Sequence, residues 1–200
     1  MKSVHHSRSL KWFVCLSLFA VSFICLLLSL GRFAVAASSI SSDDDFKVTT
    51  VFLVRHAEKA ATPSEDPPLL EAGSARSQEL ARILGKAEIK VIYTSQFLRT
   101  KLTAEPLAKL LGFASTTMPL KMSASNPREV SQESIKEMVE KIYQRAGENA
   151  LIVGHSNSIP EVIRALGGDV VPHIDEKEFN DLFIVTVYAK GKAKVTHLKY

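Results

Sequence analysis

Three short stretches carry side chains that can do chemistry. In "LVRHAEK" Arg55 directly precedes His56; in "YTSQFLRT" Ser95 is followed four residues later by Arg99; in "IVGHSNS" His155 stands between Gly154 and Ser156. Two guanidiniums and two imidazoles brought to one place repel each other unless an anion lies between them. A phosphoryl group suits that role. Arginine offers it planar bidentate donors, and imidazole adds either a further donor or a nucleophile. Backbone N–H groups at the start of a helix after Asn157 are placed to add anion affinity.

Each stretch closes an apolar run. Val48 to Arg55, Lys90 to Thr94 and Ala150 to Val153 read as core strands. Glu71 to Leu84, Phe97 to Leu111, Ser131 to Ala146 and Ile159 to Leu166 keep the helical period, with Gly112, Gly147 and Gly167 as stops. Ala114 to Leu120 is expected as a short edge strand, and "DLFIVTVYA" and "AKVTHLKY" as a strand pair turning at Gly191. Strands alternating with helices argue a layered α/β domain with a largely parallel core and one antiparallel edge. In such sheets ligands bind beyond the carboxyl ends of the strands, where all three polar groups would converge.

Other chemistries fit less well. G-x-S-x-G marks a serine-hydrolase elbow, but "GHSNS" ends on Ser158 where the sharp turn wants glycine, a triad would need an acid and then a histidine further along, and the arginines would be left unexplained. Ser95 and Ser156 read as turn and cap residues rather than nucleophiles. A metal held by His56 and His155 lacks carboxylates at ligand spacing and would meet repulsion from the arginines. His173 and His197 have no motif context and read as surface or sheet residues.

The motifs resemble, in order and spacing, those of the histidine phosphatase superfamily, the phosphoglycerate mutase-like proteins. "LVRHAEK", "YTSQFLRTKLTAEPLA" and "IVGHSNSIPEVI" carry the likeness, and "DPPLLEAGSARSQELA" looks like that family's loop and helix after the first motif. The resemblance runs from about Val48 to the C-terminus. It implies a three-layer α/β/α sandwich with a mostly parallel central sheet. It also implies a phosphatase in which His56 attacks phosphorus, carries the group as phosphohistidine and passes it to water. The other nitrogen of His56 is then expected as N–H against an oxygen, often a backbone carbonyl. By match to the motifs, Arg55, Arg99 and His155 hold the phosphoryl oxygens, with Ser156 and Thr62 as further substrate-side positions. No metal or cofactor is required.

The chain departs from the family pattern in two places. Ala57 replaces the usual glycine after the first histidine, and Thr62 stands where many members have asparagine. Glu58 is the first choice for the leaving-group acid, with Asp66 and Glu129 as alternatives. A phosphate-binding or interaction module without turnover is the competing reading. A mutase fits less well, because the short connection from Gly112 to Val130 argues an open site that favours hydrolysis.

The N-terminus reads differently. Residues 1–36 hold Lys2, Arg8, Lys11 and Arg32 and no acid, and Trp12 to Leu30 is an almost unbroken apolar run before "AVA" at 34–36. This is a signal peptide or, if uncleaved, an N-terminal membrane anchor through residues 12–30, and it places the domain in a periplasmic or extracellular space. Residues 37–46 read as a polar linker and 47–200 as the phosphatase domain. Of the chain's 25 Lys and Arg, four lie in the leader, and the remaining 21 balance 21 acids. The domain is therefore near neutral, which gives no support for nucleic-acid binding and leaves a small-molecule or protein phosphate as the expected partner. Both cysteines, Cys15 and Cys25, belong to the leader.

Overall fold

In the computed structural model, residues 46–170 and 172–200 are described. The expected leader, and the linker as far as residue 45, lie outside the described residues. Among those described, no helix is long and apolar enough to cross a membrane.

Apolar residues at alternate positions decide the architecture. On β1 (Thr49–Arg55), Val51 and Leu53 face one side of the sheet and Phe52 and Val54 the other, and all four are buried. A strand covered on both faces needs a layer on each. One layer is α1 (Glu71–Leu84) with α2 (Leu98–Leu111), packing Leu80, Leu84, Ala104 and Leu107 on the Phe52 side. The other is α3 (Gln132–Tyr143) with α4 (Ile159–Ala165), packing Ile135, Met138, Ile142 and Ile163 on the Val51 side. The result is the expected three-layer α/β/α sandwich.

The sheet has six strands in the order β3-β2-β4-β1-β5-β6. β2 (Ile89–Thr94), β4 (Asn149–Gly154) and β1 run parallel as neighbours, with Arg55 opposite Gly154 and Thr94 opposite Val153. Their carboxyl ends therefore reach one edge of the sheet together, as the sequence requires. β5 (Asp181–Ala189) and β6 (Lys192–Lys199), the strand pair expected to turn at Gly191, add antiparallel to β1 and to each other and form the antiparallel edge.

The edge strand expected over Ala114 to Leu120 shrinks to β3 (Thr116–Thr117). The Met118 N–H still bonds the Thr94 carbonyl, but Pro119 has no N–H to continue the ladder. α3 stops at Tyr143, three residues short of expectation, and begins after Ser131, whose hydroxyl accepts the Ser134 N–H as an N-cap. α2 ends at Gly112 in the left-handed region, with φ 78° and its N–H on the Ala108 carbonyl.

One contact ties α1 to the segment after the first motif. The Leu70 N–H bonds the Glu58 carbonyl, and a Cβ on Gly73 would lie 2.2 Å from that same oxygen. The helix approaches the turn so closely because glycine leaves it room. We expect Gly73→Ala to cost about 1–3 kcal/mol of stability by overpacking against backbone. Chemical denaturation of the two proteins checks this, and an unchanged midpoint would mean that helix and turn separate freely.

Candidate active site

His56 sits just past β1, pinned on three sides. Its N–H donates to the Gly154 carbonyl at 2.9 Å, and the following Ala57 N–H donates to Thr103 Oγ1 at 2.9 Å. Its ring Nδ1 lies 2.8 Å from the Ala57 carbonyl, which can only accept. Nδ1 therefore carries the proton and Nε2 keeps its lone pair. Ala57 makes this turn without the freedom of glycine: among the described residues only Glu88, of the non-glycines, has positive φ. Burial lowers the His56 pKa from 6.5 to about 4, opposed by the Ala57 hydrogen bond and reinforced by the charges of Arg99, Arg55 and Lys59.

His155 lies beside it, with ring centroids 5.3 Å apart. Its Nδ1 faces Arg99 Nη2 at 3.5 Å and its Nε2 faces Ser95 Oγ at 2.9 Å. A guanidinium only donates, so Nε2 carries the proton and gives it to Ser95. Ser95 Oγ in turn lies 3.0 Å from Thr100 Oγ1, whose hydroxyl donates to the Phe97 carbonyl at 2.8 Å. Burial first, then the neighbouring His56 and both arginines, lower the His155 pKa to about 3.

The two arginines are held differently. Arg55, 5% exposed, is caged by the segment 175–179. Its Nη1 donates to the carbonyls of Asp175 at 2.8 Å and Glu178 at 3.1 Å, its Nη2 meets the Glu176 carboxylate at 2.7 Å, and the Phe179 ring lies 4.3 Å from its guanidinium carbon. Arg99 rests on the Phe97 ring at 4.2 Å, and burial pushes its pKa down. The Nε of each arginine is buried without a hydrogen-bond partner. Two unsatisfied guanidinium N–H groups beside two neutral imidazoles are what an oxyanion would complete.

These four residues line a crevice of about 470 Å³, whose walls include Lys59, Phe97 and Arg128. Ser156 also lines it, with its hydroxyl donating to Glu176 Oε1 at 2.6 Å. Four other expectations change. Glu58 is bound by Arg76, Nε and Nη2 donating to its carboxylate at 3.0 and 2.6 Å, and this pairing holds its pKa below the usual carboxylate value. Glu58 does not line the crevice, so it falls from the role of leaving-group acid. Thr62 is exposed on the loop after the first motif and does not line the crevice. Asp66 accepts the Leu98 N–H at 2.8 Å and serves the start of α2. Glu129 accepts from Asn126 Nδ2 at 2.7 Å and lines a neighbouring cavity instead.

The N–H groups expected to bind an anion after Asn157 are also committed elsewhere. Those of Ser158 and Ile159 donate to the His155 carbonyl at 3.1 and 3.0 Å. What the sequence reading missed is the segment "DEKEF", residues 175–179, which supplies both the Arg55 cage and Glu176. Its one signal was a charged run within thirty residues of the third motif, a pattern that solvated loops share.

A mixed α/β sheet between helix layers, with arginine and histidine at the carboxyl ends of its parallel strands, defines a phosphoglycerate mutase-like fold. Residues 51–121 match the family model of the histidine phosphatase superfamily (branch 1). Solved structures share the fold at low identity. A phosphoglycerate mutase from Bacillus anthracis strain Sterne is 18% identical with a TM-score of 0.59, covering 77% of this chain and 94% of that one. The protein histidine phosphatase SixA complexed with tungstate is 18% identical with a TM-score of 0.58, covering 75% and 96%. The α-ribazole phosphatase of Shigella flexneri is 15% identical with a TM-score of 0.58, covering 76% and 96%. Comparison with curated proteins finds no match.

The depressed histidines make a stability prediction. Unfolded, each takes up a proton as pH falls through its ordinary value of 6.5, whereas the folded protein resists until about 4 for His56 and about 3 for His155. The unfolded state therefore binds more protons across that window, and stability falls as pH drops from 6.5 toward 4, by a few kcal/mol at most. Denaturation midpoints against pH read this slope. His56→Asn should flatten it, and an equal slope in the variant would place the proton uptake elsewhere.

Proposed function

We propose that this protein is a phosphatase that hydrolyses phosphomonoesters through a phosphohistidine on His56, without a metal or other cofactor. The observation that carries the reading is the hydrogen bond from His56 Nδ1 to the Ala57 carbonyl. It leaves Nε2 as a neutral nucleophile in a crevice lined by Arg55, Arg99 and His155.

The chemistry then follows from charge. Arg55 and Arg99 bind the phosphoryl oxygens through fixed donors and stabilise the charge spread over them during transfer. His155 is neutral only while the site holds nothing but cations and its neighbouring ring. A dianion between the arginines favours protonation at His155 Nδ1, which turns that nitrogen into a further donor to the phosphoryl group. Water then attacks phosphorus and releases inorganic phosphate with His56 restored. The relatives by fold include both a protein histidine phosphatase and an α-ribazole phosphatase, so a protein or small-molecule phosphate is compatible with this scaffold.

Export belongs to the same proposal. The basic start, the apolar run 12–30 and the small residues at 34–36 support secretion of the domain to a periplasmic or extracellular space. N-terminal sequencing of the protein recovered from outside the cytoplasm should give a start near residue 37; an intact leader on membrane-bound protein would instead make it an anchor.

The deciding assay is hydrolysis of 4-nitrophenyl phosphate by the purified protein with a chelator present. Activity should persist and vanish in His56→Ala, and acid-quenched enzyme should carry an acid-labile phosphoryl group in the wild type alone. A folded protein that binds phosphate without turnover would be a binding module instead. Arg55→Lys should lower kcat/KM by about 100-fold, because a point charge cannot reproduce the bidentate fork; wild-type kcat/KM in that variant would remove Arg55 from the clamp.

A further inference from the structure

Glu176 is the only carboxylate among the described residues lining the phosphate crevice. Its position there is specific. One oxygen lies 2.7 Å from Arg55 Nη2 and the other accepts the Ser156 hydroxyl at 2.6 Å. The side chain is 77% exposed, whereas the arginine it meets is 5% exposed. The carboxylate thus stands on the solvent side of the clamp, between Arg55 and the mouth of the crevice.

The donors of Arg55 show what this contact does. Nη1 is taken by two backbone carbonyls of the same segment, and Nε has no partner. Nη2 is held by Glu176. A phosphoryl group that binds Arg55 bidentately, through the unpartnered Nε and Nη2, competes with that carboxylate for Nη2. The backbone of the segment need not move for this. The Asp175 and Glu178 carbonyls stay on Nη1, and the Lys177 and Glu178 N–H groups bond Asp175 within the segment at 2.8 and 3.0 Å. Displacement swings a side chain from a fixed base at the rim.

In-line attack decides where that side chain is useful. His56 is 3% exposed at the floor of the crevice, so a leaving oxygen opposite its Nε2 points toward the mouth. The mouth is where Glu176 is based. Other nearby acids are engaged elsewhere: Glu58 with Arg76, Asp66 with the start of α2, and Glu129 with Asn126.

We propose that Glu176 occupies the phosphoryl group's place on Arg55 in the free protein and, once displaced by substrate, protonates the leaving oxygen. The inference rests on the phosphohistidine reading. When substrate takes Arg55, Glu176 loses its cationic partner, gains a dianion as neighbour and takes a proton from solvent. The His56 Nε2 lone pair then forms the N–P bond as the P–O bond to the leaving group breaks, and the Glu176 proton passes to that oxygen to give the alcohol. In the second step Glu176, now a carboxylate, takes a proton from the attacking water while the N–P bond breaks. Its electron pair returns to Nε2, and phosphate leaves.

Glu176→Gln separates both roles. It keeps the size of the side chain and a carbonyl for Ser156, but holds no competing charge and no transferable proton. Two esters read the acid. 4-Nitrophenyl phosphate releases an oxyanion stable without a proton, whereas benzyl phosphate does not. We expect the variant's loss in kcat/KM to be larger for benzyl phosphate by about 100-fold. Calorimetric binding of inorganic phosphate to the unreacted protein reads the competition and should tighten by roughly tenfold in the variant. A loss of equal size on both esters, or phosphate binding no tighter than wild type, overturns the inference while the phosphohistidine reading stands. Turnover that survives His56→Ala, or a wild-type protein that hydrolyses neither ester, overturns that reading and the inference with it.

Discussion

The site is organised by a shortage of negative charge. Two guanidiniums and two imidazoles converge at the end of a buried sheet, and the pair of histidines can share that space only by remaining neutral. Neutral imidazole has two tautomers, so each ring needs a fixed acceptor for its one proton. The Ala57 carbonyl serves His56 and the Ser95 hydroxyl serves His155. These contacts point one lone pair at the crevice and the other at Arg99. The strand pairing that puts Thr94 opposite Val153 makes the second contact possible, because it brings the His155 ring and its Ser95 acceptor from separate motifs to the same level.

The parts of the molecule that repeat were legible in the sequence. The bounds of α1 agree residue for residue, and the three parallel strands agree within a residue or two, because buried strands and amphipathic helices write their period into the chain. Arg55, His56, Arg99, His155 and Ser156 all line one crevice because each follows such a strand directly or by a single helical turn. The short β3 was overread for a local reason: its apolar residues looked like a strand, while Pro119 stopped the pairing.

The acids were not legible, and the reason is physical. A carboxylate's role depends on which cation it meets, and the partner is usually far away in sequence. Glu58 is two residues from the nucleophile but belongs to Arg76, eighteen residues on. Glu176 lies 121 residues from Arg55 and touches it. Proximity along the chain favoured the one that does not line the crevice. Arg55 itself looked like a free clamp from sequence, and only the fold showed that two carbonyls from the distant segment 175–179 consume one end of its fork.

The path from His155 through Ser95 to Thr100 gives the second motif a role as a ruler. Ser95 orients a ring just past β4, and Arg99, in the first turn of α2, meets the same ring four residues later. Both contacts depend on one interval of chain. One inserted residue would rotate Arg99 by about 100° around the helix axis and leave Ser95 in place. The ring would keep its acceptor and lose its cation. The third motif transplanted alone into another scaffold would lose both partners of its ring, so the two motifs form one geometric unit although more than fifty residues separate them.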